Sequence, residues 1–127
     1  MVLVGAALAR TPAPEGAGVY FISPGDGEVV QSPVTVKFGL QAMGVAPAGV
    51  DLAKTGHHHF LIDLDNAPAL DAPIPKDDCH KHFGGGQTET TIELSQGTHT
   101  LQLLVGDKTH VPHDPPIMSE RITITVK

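Results

Sequence analysis

Cationic residues, cysteine and aromatics are all scarce in this chain of 127 residues. Eight Lys and Arg face fourteen Asp and Glu, for a formal net charge of −6, and the cations form no stripe. Phosphate contacts need clustered cations, so nucleic-acid binding is not expected. A single cysteine, Cys79, excludes an internal disulfide and a cysteine-type structural zinc site, without fixing the compartment. Aromatics make up 4% and Trp is missing, which argues against a sugar-stacking platform. No apolar run reaches the roughly 18 residues of a membrane-spanning helix. There is no nucleophile elbow, no H-E-x-x-H helix and no phosphate-binding loop. Gly84-Gly85-Gly86 precedes a strand pattern and reads as a tight turn. Carboxylates of EF-hand spacing are missing too, which weighs against calcium. Asp63 and Asp65, like Asp77 and Asp78, read as solvated loop acids rather than acid/base pairs.

Chain breakers are plentiful. Fourteen Gly and eleven Pro leave little room for long helices. Apolar residues fall in short runs rich in Val, Ile, Leu and Thr, the pattern of an all-β protein. Strands are expected over residues 19–23, 33–41, 57–64, 87–94, 99–105 and 119–127. Alternation places Leu101, Leu103 and Val105 inward, and likewise Ile122, Ile124 and Val126. The strands at 87–94 and 99–105 read as a hairpin about a turn at 95–98. The expected architecture is an antiparallel β-sandwich, immunoglobulin-like, with a cupin-like barrel as the alternative. Residues 19–127 form the single sandwich domain. Residues 1–18 precede it. Of these, 1–9 end in an A-x-A-like site and read as the tail of a secretory signal, and 10–18 read as a linker. A periplasmic or secreted location is therefore expected.

Histidine is over-represented. Eight histidines are about three times what an average chain of this length carries. Strand directions in a sandwich of this kind bring three groups to one end: His57-His58-His59, His80 with His82, and His110 with His113. His99 falls at the other end. Residues i and i+2 of an extended segment share a face, so His80 and His82 can grip one ion. Val111-Pro112 restricts the loop between His110 and His113, which limits the entropy lost on binding. The three consecutive histidines cannot all point one way. Phe60, Ile62 and Leu64 form the core-facing set, His58 shares their phase, and His57 and His59 point to the other face. One or two of the three are expected as ligands. The candidate set is His58, His59, His80, His82, His110 and His113, with the choice among His57, His58 and His59 open.

Imidazole suits copper, zinc, nickel and iron. Met43 and Met118 lie in loops near the expected site, and soft thioethers favour copper. Zinc and iron remain alternatives, iron through a two-histidine site completed by Asp114. Imidazole must be deprotonated to ligate, so binding weakens below about pH 6.

Four segments are specific enough to carry a resemblance: VYFISPGDGEVVQSPVTVKFGLQAMGVAPAGV, TGHHHFLID, HFGGGQTET and HTLQLLVGDKTHVPHDPPIMSERITITV. Across residues 18–126 the chain resembles a bacterial family known as domain of unknown function 4399. That resemblance implies exported proteins and carries no settled activity. SPGDGEVVQSPVTV is also similar to the start of CopC-type periplasmic copper carriers. Their N-terminal histidine ligand has no counterpart here, so their site does not transfer. HKHFGGGQTE is similar to the cupin pattern, with Glu89 later than that spacing requires. The leading function is metal binding or carriage outside the cytoplasm. A small copper or iron metalloenzyme and a metal-free interaction module that binds another periplasmic protein are the alternatives.

Overall fold

The structure, a computed structural model, describes residues 10–127; the leader expected over residues 1–9 lies outside them. Among the described residues nine strands follow one another: β1 (Gly18–Ser23), β2 (Val29–Val30), β3 (Val34–Gln41), β4 (Gly44–Val45), β5 (Thr55–Ile62), β6 (His80–His82), β7 (Glu89–Ile92), β8 (Gly97–Gly106) and β9 (Ile122–Val126). They form two sheets. The smaller has the order β1-β3-β7, and the larger runs β2-β9-β8-β5-β4 with β6 also paired to β5. The fold is thus an all-β sandwich with two separate sheets, not a closed cupin-like barrel. Most pairs are antiparallel, but β2 lies parallel to β9 and β4 parallel to β5.

The inner faces meet in one core. Val34, Val36 and Phe38 from β3 face Phe60 and Ile62 from β5, Leu101, Leu103 and Val105 from β8, and Ile122, Ile124 and Val126 from β9. The alternation read in the sequence is the one realised, because a period of two matches a sheet covered on that face. Leu64 departs from it. Asp63 has φ 55°, and this left-handed turn ends the alternation of β5, so Leu64 packs on the other side of the larger sheet with Leu61, Leu70, Ile74 and Leu104.

The expected hairpin at 95–98 does not form. β7 pairs with β3, whereas β8 pairs with β5 and β9. The chain crosses from one sheet to the other at residues 93–96, and Gly97 and Thr98 already belong to β8. Both edges of β8 are occupied by longer partners, which leaves β7 only the edge of β3. The segment read as a linker is tied down as well. Thr11 and Ala13 exchange backbone hydrogen bonds with Asp114, and the Thr11 hydroxyl donates to Asp107 at 2.7 Å.

Strand β5 is buried from Gly56 to Ile62. One face lies in the core between the sheets. The other is covered by the β5–β6 connection and by the loop after β8, which meet where the Ile74 N–H donates to the His110 carbonyl at 2.8 Å.

Candidate metal centre

The site grows out of the alternation of β5. His58, Phe60 and Ile62 face the inter-sheet core, so His57, His59 and Leu61 face the opposite side. On that side His59 pairs across β6 with His82, and Leu61 with His80. On the other flank of β5, His57 pairs with Gly106 and His59 with Leu104 of β8. His110 arrives from the loop after β8. The four rings of His57, His59, His82 and His110 close on one another, and one nitrogen from each lies within 4.8 Å of the rest. They converge on the outer face of the larger sheet, not at an end of the sandwich.

The contacts are close. His59 Nε2 lies 2.8 Å from His57 Nε2, and His57 Nε2 lies 3.2 Å from His110 Nδ1. The His82 and His110 ring centroids are 4.6 Å apart. The His57 nitrogen carries either one proton or one lone pair, so it cannot make two good hydrogen bonds to these neighbours. His82 Nε2 is buried with no hydrogen-bond partner among the described residues. Such a concentration of lone pairs is costly in a desolvated place. A cation answers it, because nitrogen ligands about 2.0–2.1 Å from a tetrahedral metal stand roughly 3.3 Å apart. The residues present therefore fit a transition-metal ion.

Two glycines make room for the rings. A Cβ at Gly106 would lie 2.8 Å from His59 Nε2 and 3.4 Å from the His110 Cα. A Cβ at Gly84 would lie 2.3 Å from His82 Cε1 and 2.6 Å from its Nε2, so the glycine run after β6 is a space for that imidazole as well as a turn.

Asp107 builds the loop that presents His110. Its Oδ1 accepts from the Thr109 N–H and hydroxyl, both at 2.8 Å, and from the Val111 N–H at 3.1 Å. Burial alone would raise its carboxyl pKa, but these bonds and the Thr11 hydroxyl hold it below the usual range. His110 itself has φ 68°, a left-handed conformation that histidine adopts more readily than most residues. Its N–H donates to the Asp107 carbonyl at 2.9 Å, which holds the turn.

Electrostatics favour the neutral form at His57, His59 and His82. Burial, then the neighbouring His110 and His82, lower the His57 pKa to about 4. Burial, then His57, His82 and His110, bring His59 to about 2. His82 is lowered by burial, then by His110 and Lys76. Neutral rings hold the lone pairs that a metal requires.

The other candidate residues lie elsewhere. His58 is turned into the core, its ring 5.0 Å from that of Phe38, and burial lowers its pKa to about 4. His80 does share a face with His82, as alternation requires. It stands opposite Leu61, however, two residues or about 7 Å further along the strand. There it pairs with Asp77 at 2.7 Å. His113 is buried beside Gly56. The left-handed turn at His110 and the bridge between Gly106 and Pro112 separate it from His110. Asp114 is exposed and pairs with Arg10. Met43 packs against the inter-sheet core, and Met118 is exposed, bridged to Leu104. Cys79 is half-buried, and its N–H donates to Asp77. His99 lies apart, bound to Asp63 at 2.7 Å. Asp63 and Asp77, read as solvated loop acids, thus each hold a histidine.

His57 is the residue that the six-member candidate set omitted. Its phase relative to Phe60 and Ile62 was the available signal, since that phase pairs it with His59 and sets His58 apart. Gly106 and Asp107 carried no signal in the sequence, because their roles depend on strand register and loop closure.

No curated protein and no solved structure matches the chain. A family model described as domain of unknown function, DUF4399, matches residues 36–127. The match covers most of the sandwich, from β3 through β9 with all four clustered histidines, and the chain belongs to that family.

Proposed function

We propose that this protein binds one transition-metal ion through His57, His59, His82 and His110, and that it acts as a metal-binding or metal-carrying protein outside the cytoplasm. The observation that carries the reading is the convergence of four imidazole nitrogens within 4.8 Å, with a buried His82 nitrogen that has no partner among the described residues. Copper is the preferred ion. An all-imidazole set binds divalent metals in the Irving–Williams order, which peaks at copper(II). Zinc is the next choice, and iron the third. The preference now rests on the imidazoles alone, since Met43 faces the inter-sheet core.

Binding is favoured over catalysis by the surroundings. Four protein ligands are typical of sites that hold a metal, whereas catalytic zinc sites commonly use three. The carboxylate that acts electrostatically on His57 is Asp107, and its oxygens are engaged by Thr11, Thr109 and Val111. It is poorly placed to serve as a general base.

The test is elemental analysis of untagged full chain purified without chelator, followed by titration with Cu(II) and Zn(II) at pH 7.5. The expected result is one equivalent bound. Affinity should fall about 100-fold or more in the combined His57→Ala and His110→Ala variant and stay near wild type in His80→Ala. Binding no tighter than about millimolar, near −4 kcal/mol, would overturn the proposal and favour a partner-binding role for the histidines.

A further inference from the structure

Three of the clustered rings also line a cleft. His59, His82 and His110 form one side of it, and Pro73, Ile74 and Lys76 of the β5–β6 connection form the other, enclosing about 300 Å³. His57 does not line this cleft. An ion held by the four would have His57 behind it and an open side toward the cleft.

The charge balance at that open side is unfavourable. The four donors are imidazoles, which as ligands contribute no negative charge, so a divalent ion keeps its full charge. Lys76 adds a further positive charge on the cleft wall and forms no ion pair among the described residues. Of the nearby carboxylates, Asp107 already shares its negative charge among its hydrogen-bond donors, and Asp77, next to Lys76, shares its own with the His80 ring and the Cys79 and His80 N–H groups. The walls at Pro73 and Ile74 are apolar, which strengthens the field inside the cleft. An uncompensated charge in such a place is costly, and an anion from solvent relieves it.

We infer that the metal-loaded site takes a small monoanion, a halide or small carboxylate, as an additional ligand through this cleft, with Lys76 as its counter-ion. The inference rests on the proposed metal site. A cleft of this size is at the lower end of small-molecule cavities, which suits an anion of a few heavy atoms.

Azide is a suitable probe. The full chain is loaded with one equivalent of Cu(II), its copper content is measured, and it is titrated with azide while absorption and EPR spectra are recorded. A saturable azide-to-copper charge-transfer band with a changed EPR signal is expected, and acetate should compete for it. In Lys76→Gln the azide affinity should fall about three- to tenfold with copper stoichiometry unchanged. Copper-loaded protein whose spectra do not respond to saturating azide would overturn the inference and leave the metal site standing. Unchanged azide affinity in Lys76→Gln would overturn the counter-ion role. A chain that takes up no copper would instead remove the metal reading beneath both.

Discussion

His57 and His58 are neighbours in the chain with opposite surroundings. His57 touches two imidazoles on the outer face of the sheet. His58 lies in the inter-sheet core against Phe38, and both of its ring nitrogens are buried with no partner among the described residues. Desolvating polar atoms without new hydrogen bonds costs about 1–3 kcal/mol, and replacing them with an apolar group of similar volume recovers part of that. His58→Leu should therefore raise thermal stability by about 1–2 kcal/mol and leave metal affinity near wild type. Thermal unfolding with and without metal checks this. A loss of stability would mean that the ring nitrogens are satisfied in solution, and a loss of metal affinity would assign His58 to the site. Parity along β5 was legible in the sequence from Phe60 and Ile62. It separates His58 from His57 and His59 without any knowledge of the sheet.

At the scale of elements, the cluster depends on three strands in register and one loop. His59 meets His82 because β6 pairs with β5 at that position, and His57 stands opposite Gly106 because β8 pairs with β5 as it does. None of these registers could be read from spacing. Strand β6 has three residues, too few to show alternation, and the turn at 95–98 suggested a hairpin partner that β8 does not take. By contrast, β3, β8 and β9 were legible because their apolar residues alternate over five or more positions. The glycine at 106 gives the element-scale test. A methyl group there would stand 2.8 Å from His59 Nε2, closer than packing tolerates, so the imidazole must move. Gly106→Ala should keep the fold, shown by an unchanged far-ultraviolet CD spectrum, and weaken metal binding about tenfold or more. Wild-type affinity in this variant would show that the ring can shift without leaving the ion.

For the molecule as a whole, the histidines couple folding to pH, and the sign follows from which state binds the proton. His57, His58 and His59 have pKa values lowered from 6.5 to about 4, 4 and 2, and His82 and His113 are lowered mainly by burial. Below pH 6.5 the unfolded chain takes up protons at these positions and the folded metal-free chain does not. Each such proton removes up to about 1.4 kcal/mol of stability per pH unit. His99 works the other way. Burial alone would lower its pKa, but the hydrogen bonds to Asp63 and the Ser95 carbonyl, with the charge of Asp63, raise it. Its contribution is fully present below pH 6.5 and is lost as pH rises through its folded value. One raised group stands against five lowered ones, so the lowered set decides the outcome. The metal-free protein should hold its stability near neutral pH, lose it steeply as pH falls from 6.5 toward 4, and unfold above the range in which carboxylates protonate. His99→Gln should flatten the small decline expected on the alkaline side and leave the acid limb in place. Far-ultraviolet CD followed across pH, with chelator present, measures both limbs. A sheet signal that survives unchanged to pH 4 would mean that the imidazoles protonate inside the fold, and that the buried cluster is looser than its geometry implies.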